Sequence, residues 1–379
     1  MKIVADENIP LLEAFFSDLS TSLVSKPGRE LTAADVKDAD ILLVRSITKV
    51  NSDLLDGSTV KFVGTCTIGI DHLDTEYLQQ QGIGYSNAPG CNAQAVVDYV
   101  LSALVTLGER WQQPWRQLSV GIVGAGNVGG RLYKTLSGLG VNVVVYDPNI
   151  AEFSSTTQSE QVWQQDVVTL HTPILKEGPY KTLHLVDAAR LTSMKPRSAL
   201  INSCRGPVVN NSDLLNHLNS HADFQAILDV YEDEPSPSDA IINACLLATP
   251  HIAGYSLDGK YRGTSMIYDA LCDFLNKPKQ LTLEQLASPA ALQQVTVSSL
   301  APEEFALKTC IRSAYDIRDD HFRMLSLLGL SGMNKAKAFD RLRKDYPIRR
   351  DQTQLMFLQQ GLSNDAITKT SWVKALGLK

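Results

Sequence analysis

An α/β fold, doubly wound, is predicted by three features of the chain. Short apolar, β-branched runs at 2–5, 41–45, 61–65, 119–123, 142–146, 167–170, 199–202, 226–228 and 246–248 alternate with amphipathic segments of helix length. The runs are apolar at successive positions, as strands covered by helices on both faces are. A glycine-rich turn, Gly124-Ala125-Gly126-Asn127-Val128-Gly129, follows one run directly and opens a helix, the junction expected in a parallel sheet.

The length of 379 residues suits two or three domains rather than one core. With 44% hydrophobic and 20% charged residues the composition is that of a globular protein in water. A net charge of −6 lacks the basic excess of a general nucleic-acid binder, so no nucleic-acid partner is expected. No apolar run is long enough to cross a bilayer, and no membrane partner is expected. Met1-Lys2-Ile3-Val4-Ala5 passes straight into Asp6-Glu7, so no signal peptide is expected. Six cysteines (66, 91, 204, 245, 272 and 310) form no CxxC and no spacing with histidines. No disulfide and no metal site is expected, and a reducing cytoplasm fits.

The glycine turn lies mid-chain, after a helical segment at 92–110 and the break Trp111-Gln112-Gln113-Pro114-Trp115. A first α/β unit therefore precedes a second one inserted behind it. A helical segment at 261–276 stops at Lys277-Pro278 and is a candidate to return to the first unit. Residues 283–302 are rich in Ala, Ser and Gln and read as a linker. Helical periodicity follows, at Phe305, Leu307, Ile311, Phe322, Leu325, Leu327 and Leu328. The expected boundaries are 1–93, 94–256, 257–284 for the returning helix, and 285–379 for a separate C-terminal domain.

Of the glycines in the turn, Gly124 permits the bend, Gly126 lets backbone approach a pyrophosphate, and Gly129 lets helix pack on strand. Amides at the helix start then meet phosphate charge. The next strand ends in Asp147, placed to accept from ribose hydroxyls and to repel a 2′-phosphate, so NAD is the expected cofactor. The plainer alternative makes Asp147 a turn residue before Pro148.

Three strand ends carry groups suited to chemistry. Arg205, in Ser203-Cys204-Arg205-Gly206, can fork onto a carboxylate and polarise the adjacent carbonyl; otherwise it caps the next helix. Gly206 beside it suggests close approach by a ligand. His251, in Pro250-His251-Ile252-Ala253-Gly254, can take a hydroxyl proton or return it. A neighbouring carboxylate would hold its tautomer; Glu234 is the candidate and Glu232 its rival, Glu232 and Asp233 reading as a solvated acidic turn. Together these point to hydride transfer between a nicotinamide and the hydroxyl-bearing carbon of a 2-hydroxy acid.

At these residues, and at Val44-Arg45-Ser46-Ile47-Thr48, Gly64-Thr65-Cys66-Thr67-Ile68-Gly69-Ile70-Asp71-His72 and Asn87-Ala88-Pro89-Gly90-Cys91-Asn92, the chain resembles the D-isomer-specific 2-hydroxyacid dehydrogenases over residues 1–280. Within that family, His171-Thr172-Pro173, the run 178–184 and the run 249–260 resemble members that oxidise a phosphorylated sugar acid. Residues 285–379 resemble the dimerisation domain of those members.

The resemblance implies a Rossmann-like NAD-binding domain inserted in a flavodoxin-like α/β substrate domain, plus a C-terminal α+β domain through which a homodimer forms. It makes Arg205, Glu234 and His251 catalytic, with His251 the proton carrier. Ser46, Thr67 and Tyr255 line the substrate site. Gly124, Gly126, Asn127, Val128, Gly129, Asp147, Thr172, Ser203, Cys204, Arg205, Asp229 and Gly254 contact NAD. A phosphate on the substrate has no single reader. Arg45, Lys260 and Arg262 are near by sequence. The stretch Lys335, Lys337, Arg341, Arg343, Lys344, Arg349, Arg350 reads either as a solvated helical face or as reaching a site. A 3-phosphoglycerate or hydroxypyruvate dehydrogenase, and an NAD-sensing protein without turnover, stay open as alternatives.

Overall fold

In a computed structural model, residues 1–379 are all described and form two compact units, Met1–Asn92 with Ser256–Ala290, and Ala93–Tyr255 with Ala291–Lys379. The first holds strands β1 (Lys2–Asp6), β2 (Ser22–Lys26), β3 (Ile41–Val44), β4 (Phe62–Thr65) and β5 (Gly84–Ser86). They form one parallel sheet in the order β2-β1-β3-β4-β5. Its apolar residues divide by parity, as the period of two requires. Ile3, Ala5, Ile41, Leu43 and Phe62 join one buried cluster with Ile267 and Leu271 of the helix Leu257–Phe274. Val4, Leu42, Val44 and Val63 join another on the opposite face.

The second unit holds β6 (Val120–Val123), β7 (Val143–Tyr146), β8 (Val167–Leu170), β9 (Ala199–Asn202), β10 (Gln225–Leu228) and β11 (Leu247–Ala248). All are parallel, in the order β11-β10-β9-β8-β6-β7. From β6 the chain steps outward once to β7, then crosses to β8 on the other side. That reversal between β6 and β8 is where doubly wound sheets receive ligands, at the carboxyl ends of the strands. The helix Ala93–Arg110 is buried almost all round, which explains its mostly apolar residues from Ala95 to Val105, interrupted by the buried Asp98 and Ser102.

The C-terminal residues differ from expectation in one respect. The stretch read as a linker contains β12 (Gln294–Val297), which pairs in parallel with β13 (Met356–Gln359). The pairing is non-local, so the β-branched Gln-Val-Thr-Val was hidden among polar neighbours. Residues 291–379, read as a C-terminal domain, pack in one compact unit with 93–255. Leu307, Ile311, Ile317 and Trp372 join the buried cluster of Val100, Leu104, Val120 and Ile122, while Met324, Leu327 and Phe339 join that of Val168, Leu200 and Leu228.

Candidate active site

Six strand ends at one edge of the second sheet carry the predicted groups. Gly124 has φ 92°, and a side chain there would meet the His171 carbonyl oxygen at 2.6 Å. An added Cβ at Gly129 would lie 1.9 Å from the Gly124 oxygen, so this glycine is required by helix–strand packing. At Gly126 no atom lies within 4 Å of that position. Space there is left for something other than protein. The helix Asn127–Gly138 begins directly, with Asn127, Val128 and Gly129 presenting its first amides.

Asp147, half-buried after β7, accepts from the Ala125 amide at 2.8 Å and the Asn149 amide at 2.9 Å. Both of its readings are therefore met in part: it shapes the turn, and each oxygen keeps a lone pair for a ribose hydroxyl. After β8, the Thr172 hydroxyl faces the Cys204 thiol at 4.0 Å. Burial raises the Cys204 pKa, so its sulfur is a neutral packing atom. The Ser203 hydroxyl is buried without a hydrogen-bond partner. An open cradle at Gly126, free amides, an acceptor at Asp147 and a waiting hydroxyl at Ser203 fit a dinucleotide.

His251 follows β11 with φ 57°, a left-handed backbone that a non-glycine residue adopts only when held. The holder is Asp229, after β10. Its carboxylate accepts from the Thr249 hydroxyl at 2.6 Å and from the Ile252 and Ala253 amides, both at 2.8 Å. The His251 amide donates to the Asp229 carbonyl at 2.8 Å. Asp229 is 1% exposed; its side chain positions the histidine turn, a role the sequence did not disclose.

The His251 Nδ1 meets Glu234 Oε2 at 2.7 Å, and Glu234 Oε1 accepts from the Tyr231 amide at 2.9 Å. Burial raises the Glu234 pKa, but the histidine's hydrogen bond and charge outweigh it and the net direction is downward. Glu232 is occupied elsewhere. It meets His184 Nε2 at 2.5 Å and accepts from the Asn211 amide. The solvated-turn reading of Glu232 is thereby corrected, and geometry separates it from Glu234.

Arg205 follows β9, the neighbour of β10. Its Nη1 donates to the Cys204 carbonyl at 2.8 Å, and Asn202 Nδ2 donates to the Arg205 carbonyl at 3.0 Å. The reason offered for Gly206 needs correction: a side chain there would strike the Tyr231 carbonyl oxygen at 1.9 Å. This glycine admits the Tyr231–Glu234 turn rather than a ligand.

Tyr255 and Gly254 follow His251 on the same turn, and Tyr255 stacks edge-on with Tyr346 at 5.7 Å. In the first unit, Ser46 is exposed after β3. Thr67, after β4, bonds the Thr65 hydroxyl at 2.8 Å, which in turn meets His72 Nε2 at 3.0 Å. The basic stretch of the C-terminal residues is no single solvated face. Lys335 is 4% exposed and bonded to Pro237 O and Asp239. Arg349 lies buried over the Tyr315 ring and donates to the Ala253 and Ala95 carbonyls. Arg343 stands 5.7 Å over the Tyr255 ring and helps hold Glu234 ionised. Only the helical period beneath the charges could have hinted at this division.

Comparison with known proteins agrees with this geometry. The family described as D-isomer specific 2-hydroxyacid dehydrogenase, NAD binding domain, matches residues 107–253, and a domain of unknown function matches 286–377. Solved structures of a D-lactate dehydrogenase from Aquifex aeolicus and a 3-phosphoglycerate dehydrogenase from Entamoeba histolytica share the fold. Their TM-scores are 0.61 and 0.63 at 22% identity, over 73% and 74% of this chain and 96% and 97% of theirs. Fold and site thus define an NAD-dependent dehydrogenase of the D-isomer-specific 2-hydroxyacid class. Similarity then runs end to end with erythronate-4-phosphate dehydrogenases. One from Pseudomonas fluorescens (strain SBW25) is 49% identical over 100% of this chain and 99% of its own length. Another, from Pseudomonas putida (strain F1), is 47% identical over 100% and 99%. The chain belongs to the erythronate-4-phosphate dehydrogenase family.

Proposed function

We propose that this protein oxidises 4-phospho-D-erythronate to (R)-3-hydroxy-2-oxo-4-phosphooxybutanoate with NAD, a step of pyridoxine and pyridoxal 5′-phosphate biosynthesis. The observation that carries the substrate assignment is the end-to-end likeness at 49% identity, C-terminal residues included. Bound on the Gly124–Gly129 turn, NAD supplies the hydride acceptor. The chain supplies the rest. Glu234 takes Nδ1 of His251, so the neutral ring carries its proton there and Nε2 is the atom left to accept the substrate's hydroxyl proton. As the C2–H bond breaks with its electron pair and the O–H proton passes to Nε2, the imidazolium is stabilised by the ionised Glu234. Arg205 forks onto the substrate carboxylate and polarises the oxygen at C2. Ser46, Thr67 and Tyr255 line the substrate, and Asp147 accepts from the ribose.

Turnover of 4-phospho-D-erythronate, with a 2-oxo acid present in case reduced cofactor stays bound, tests the reading against 3-phosphoglycerate. A strong preference for the erythronate phosphate supports it. Activity only on other hydroxy acids removes the pathway, and no turnover on any favours an NAD-sensing protein.

The protein also works as a homodimer through its C-terminal residues. Nine of fourteen exposed large hydrophobics fall in 291–379, among them Leu300 (89% exposed), Ile348 (81%) and Phe322 (69%). Such a concentration is typical of a surface that a partner covers. Light scattering at micromolar concentration should give twice the chain mass, and Phe322→Glu with Ile348→Glu should return it to one. A monomeric parent removes the proposal. A cytoplasmic setting is supported by six cysteines that are all free. No helix is long and apolar enough to cross a membrane.

A further inference from the structure

Three side chains of the first unit form a hydrogen-bonded chain that ends at Thr67. Strand β4 stops at Thr65, a fully buried residue, and the loop 66–72 follows it. The Thr65 hydroxyl lies 2.8 Å from the Thr67 hydroxyl and 3.0 Å from His72 Nε2. Thr67 and His72 are both half-buried. The order along the chain is His72, Thr65, Thr67, with the ring at one end and the Thr67 hydroxyl at the other.

The loop has other means of keeping its shape. The Ala88 amide donates to the Thr67 carbonyl at 3.0 Å, Asn87 Nδ2 to the Ile68 carbonyl at 2.7 Å, and the Val50 amide to the His72 carbonyl at 2.8 Å. What the side-chain contacts decide is direction. A hydroxyl has one hydrogen to give, so a choice made at the ring is passed to the far end. If Nε2 accepts, Thr65 donates to it, Thr67 donates to Thr65, and Thr67 turns only lone pairs outward. If Nε2 carries the hydrogen, Thr65 accepts from the ring and donates to Thr67, whose own hydrogen is then free. Burial lowers the His72 pKa below the ordinary 6.5, with the Asp71 charge opposing, so the ring is neutral at pH 7 and its single proton sits on one nitrogen or the other.

We propose that His72 is a positioning residue for the substrate, its Nε2 proton ordering the Thr65 and Thr67 hydroxyls so that Thr67 donates to an anionic oxygen of the substrate. The inference rests on the reading of Thr67 as lining a phosphorylated hydroxy acid. Carboxylate and dianionic phosphate oxygens only accept, so the opposite order would set lone pairs against negative charge. The tautomer of a ring two hydroxyls away thereby selects ligands that accept at Thr67.

The test uses the full-length protein saturated with NAD, beside Thr67→Val, His72→Met, His72→Gln and the double variant of Thr67→Val with His72→Met. KM and kcat for 4-phospho-D-erythronate are read separately. His72→Met should raise KM roughly tenfold and leave kcat little changed. His72→Gln, which keeps a side-chain N–H donor, should retain most of the parent's KM. In the Thr67→Val background His72→Met should raise KM no further, because the residue acts through that hydroxyl. An equal rise in both backgrounds marks a structural role and overturns the proposal. Nitrogen–proton NMR of protein labelled in its histidine rings reads the tautomer without turnover, the His72 signals being those lost in His72→Gln. A proton on Nε2 is expected, and one on Nδ1 would overturn the ordered chain whatever the kinetics. If the parent does not turn over 4-phospho-D-erythronate, the substrate reading fails, while a proton on Nε2 still supports the ordering of Thr67 as a donor. Unchanged KM in Thr67→Val removes Thr67 from the substrate, and the role of His72 with it.

Discussion

A proton-carrying histidine must leave one ring nitrogen open and have the other held, and His251 meets both conditions because Glu234 takes Nδ1. Replacing His251 by Ala should lower kcat by roughly 10²–10⁴, with the NAD dissociation constant moving only a few-fold. Rapid-mixing kinetics and calorimetry read the two separately, and near-normal turnover would exclude the residue as proton carrier. Arg205→Lys keeps the charge but loses the fork, so kcat should fall far more than NAD affinity. Equal losses in both would remove the role given to Arg205. Glu234 also marks stability. Its folded pKa lies below the ordinary 4.5, so its contribution is full above 4.5 and is lost as pH falls through the folded value. Glu234→Gln should therefore cost least in acid, which thermal melts at pH 4 and pH 7 compare. These residues were legible because each ends an apolar run. The partners of Glu232 and Asp229 were not, since they depend on which strands become neighbours.

At the scale of elements, glycines divide by what their missing side chain would meet. Gly126 faces open space and Gly206 faces the Tyr231 carbonyl at 1.9 Å. Gly126→Ala should then fold with stability within about 0.5 kcal/mol of the parent while weakening NAD on the order of tenfold or more, because a methyl stands where the pyrophosphate approaches. Gly206→Ala should lose roughly 1–3 kcal/mol and turnover with it, since the displaced turn carries Glu234. A melt and an NAD titration on both variants decide the matter; the reverse pattern would show that the turn binds nothing. The sequence made Gly124, Gly126 and Gly129 readable through their fixed spacing. For Gly206 it pointed the wrong way, because the clash comes from a loop after another strand. Strand prediction failed for the same kind of reason. Central strands announced themselves as apolar runs, whereas β2 is an edge strand, Ser-Leu-Val-Ser-Lys, with no residue fully buried, and β5 is only Gly-Tyr-Ser.

Over the whole molecule, the C-terminal residues are built into the unit that carries His251, Glu234 and Arg205. Arg349 shows how. Its guanidinium lies 3.5 Å over the Tyr315 ring and donates to the carbonyls of Ala95, in the long buried helix, and Ala253, two residues past His251. It is also the cation that faces Asp98. Burial, then repulsion from Asp351, raises the Asp98 pKa to about 7, and Arg349 opposes that rise. The folded state thus holds a proton that the unfolded chain has released, so stability falls as pH rises from the ordinary 3.8 through about 7. Removing the guanidinium leaves Asp98 and Asp351 facing each other in the interior. Arg349→Met should destabilise the protein by roughly 3–5 kcal/mol, the usual cost of stranding a buried charge. The deficit should be larger at pH 8 than at pH 5, because at pH 5 a proton can replace the lost cation. Denaturant melts at the two pH values measure it, and pairing Arg349→Met with Asp98→Asn should recover part of the loss. A deficit independent of pH would mean that Arg349 acts only through its two carbonyls and the ring. In either case turnover should fall with the histidine turn it supports, tying the far end of the chain to proton transfer at His251.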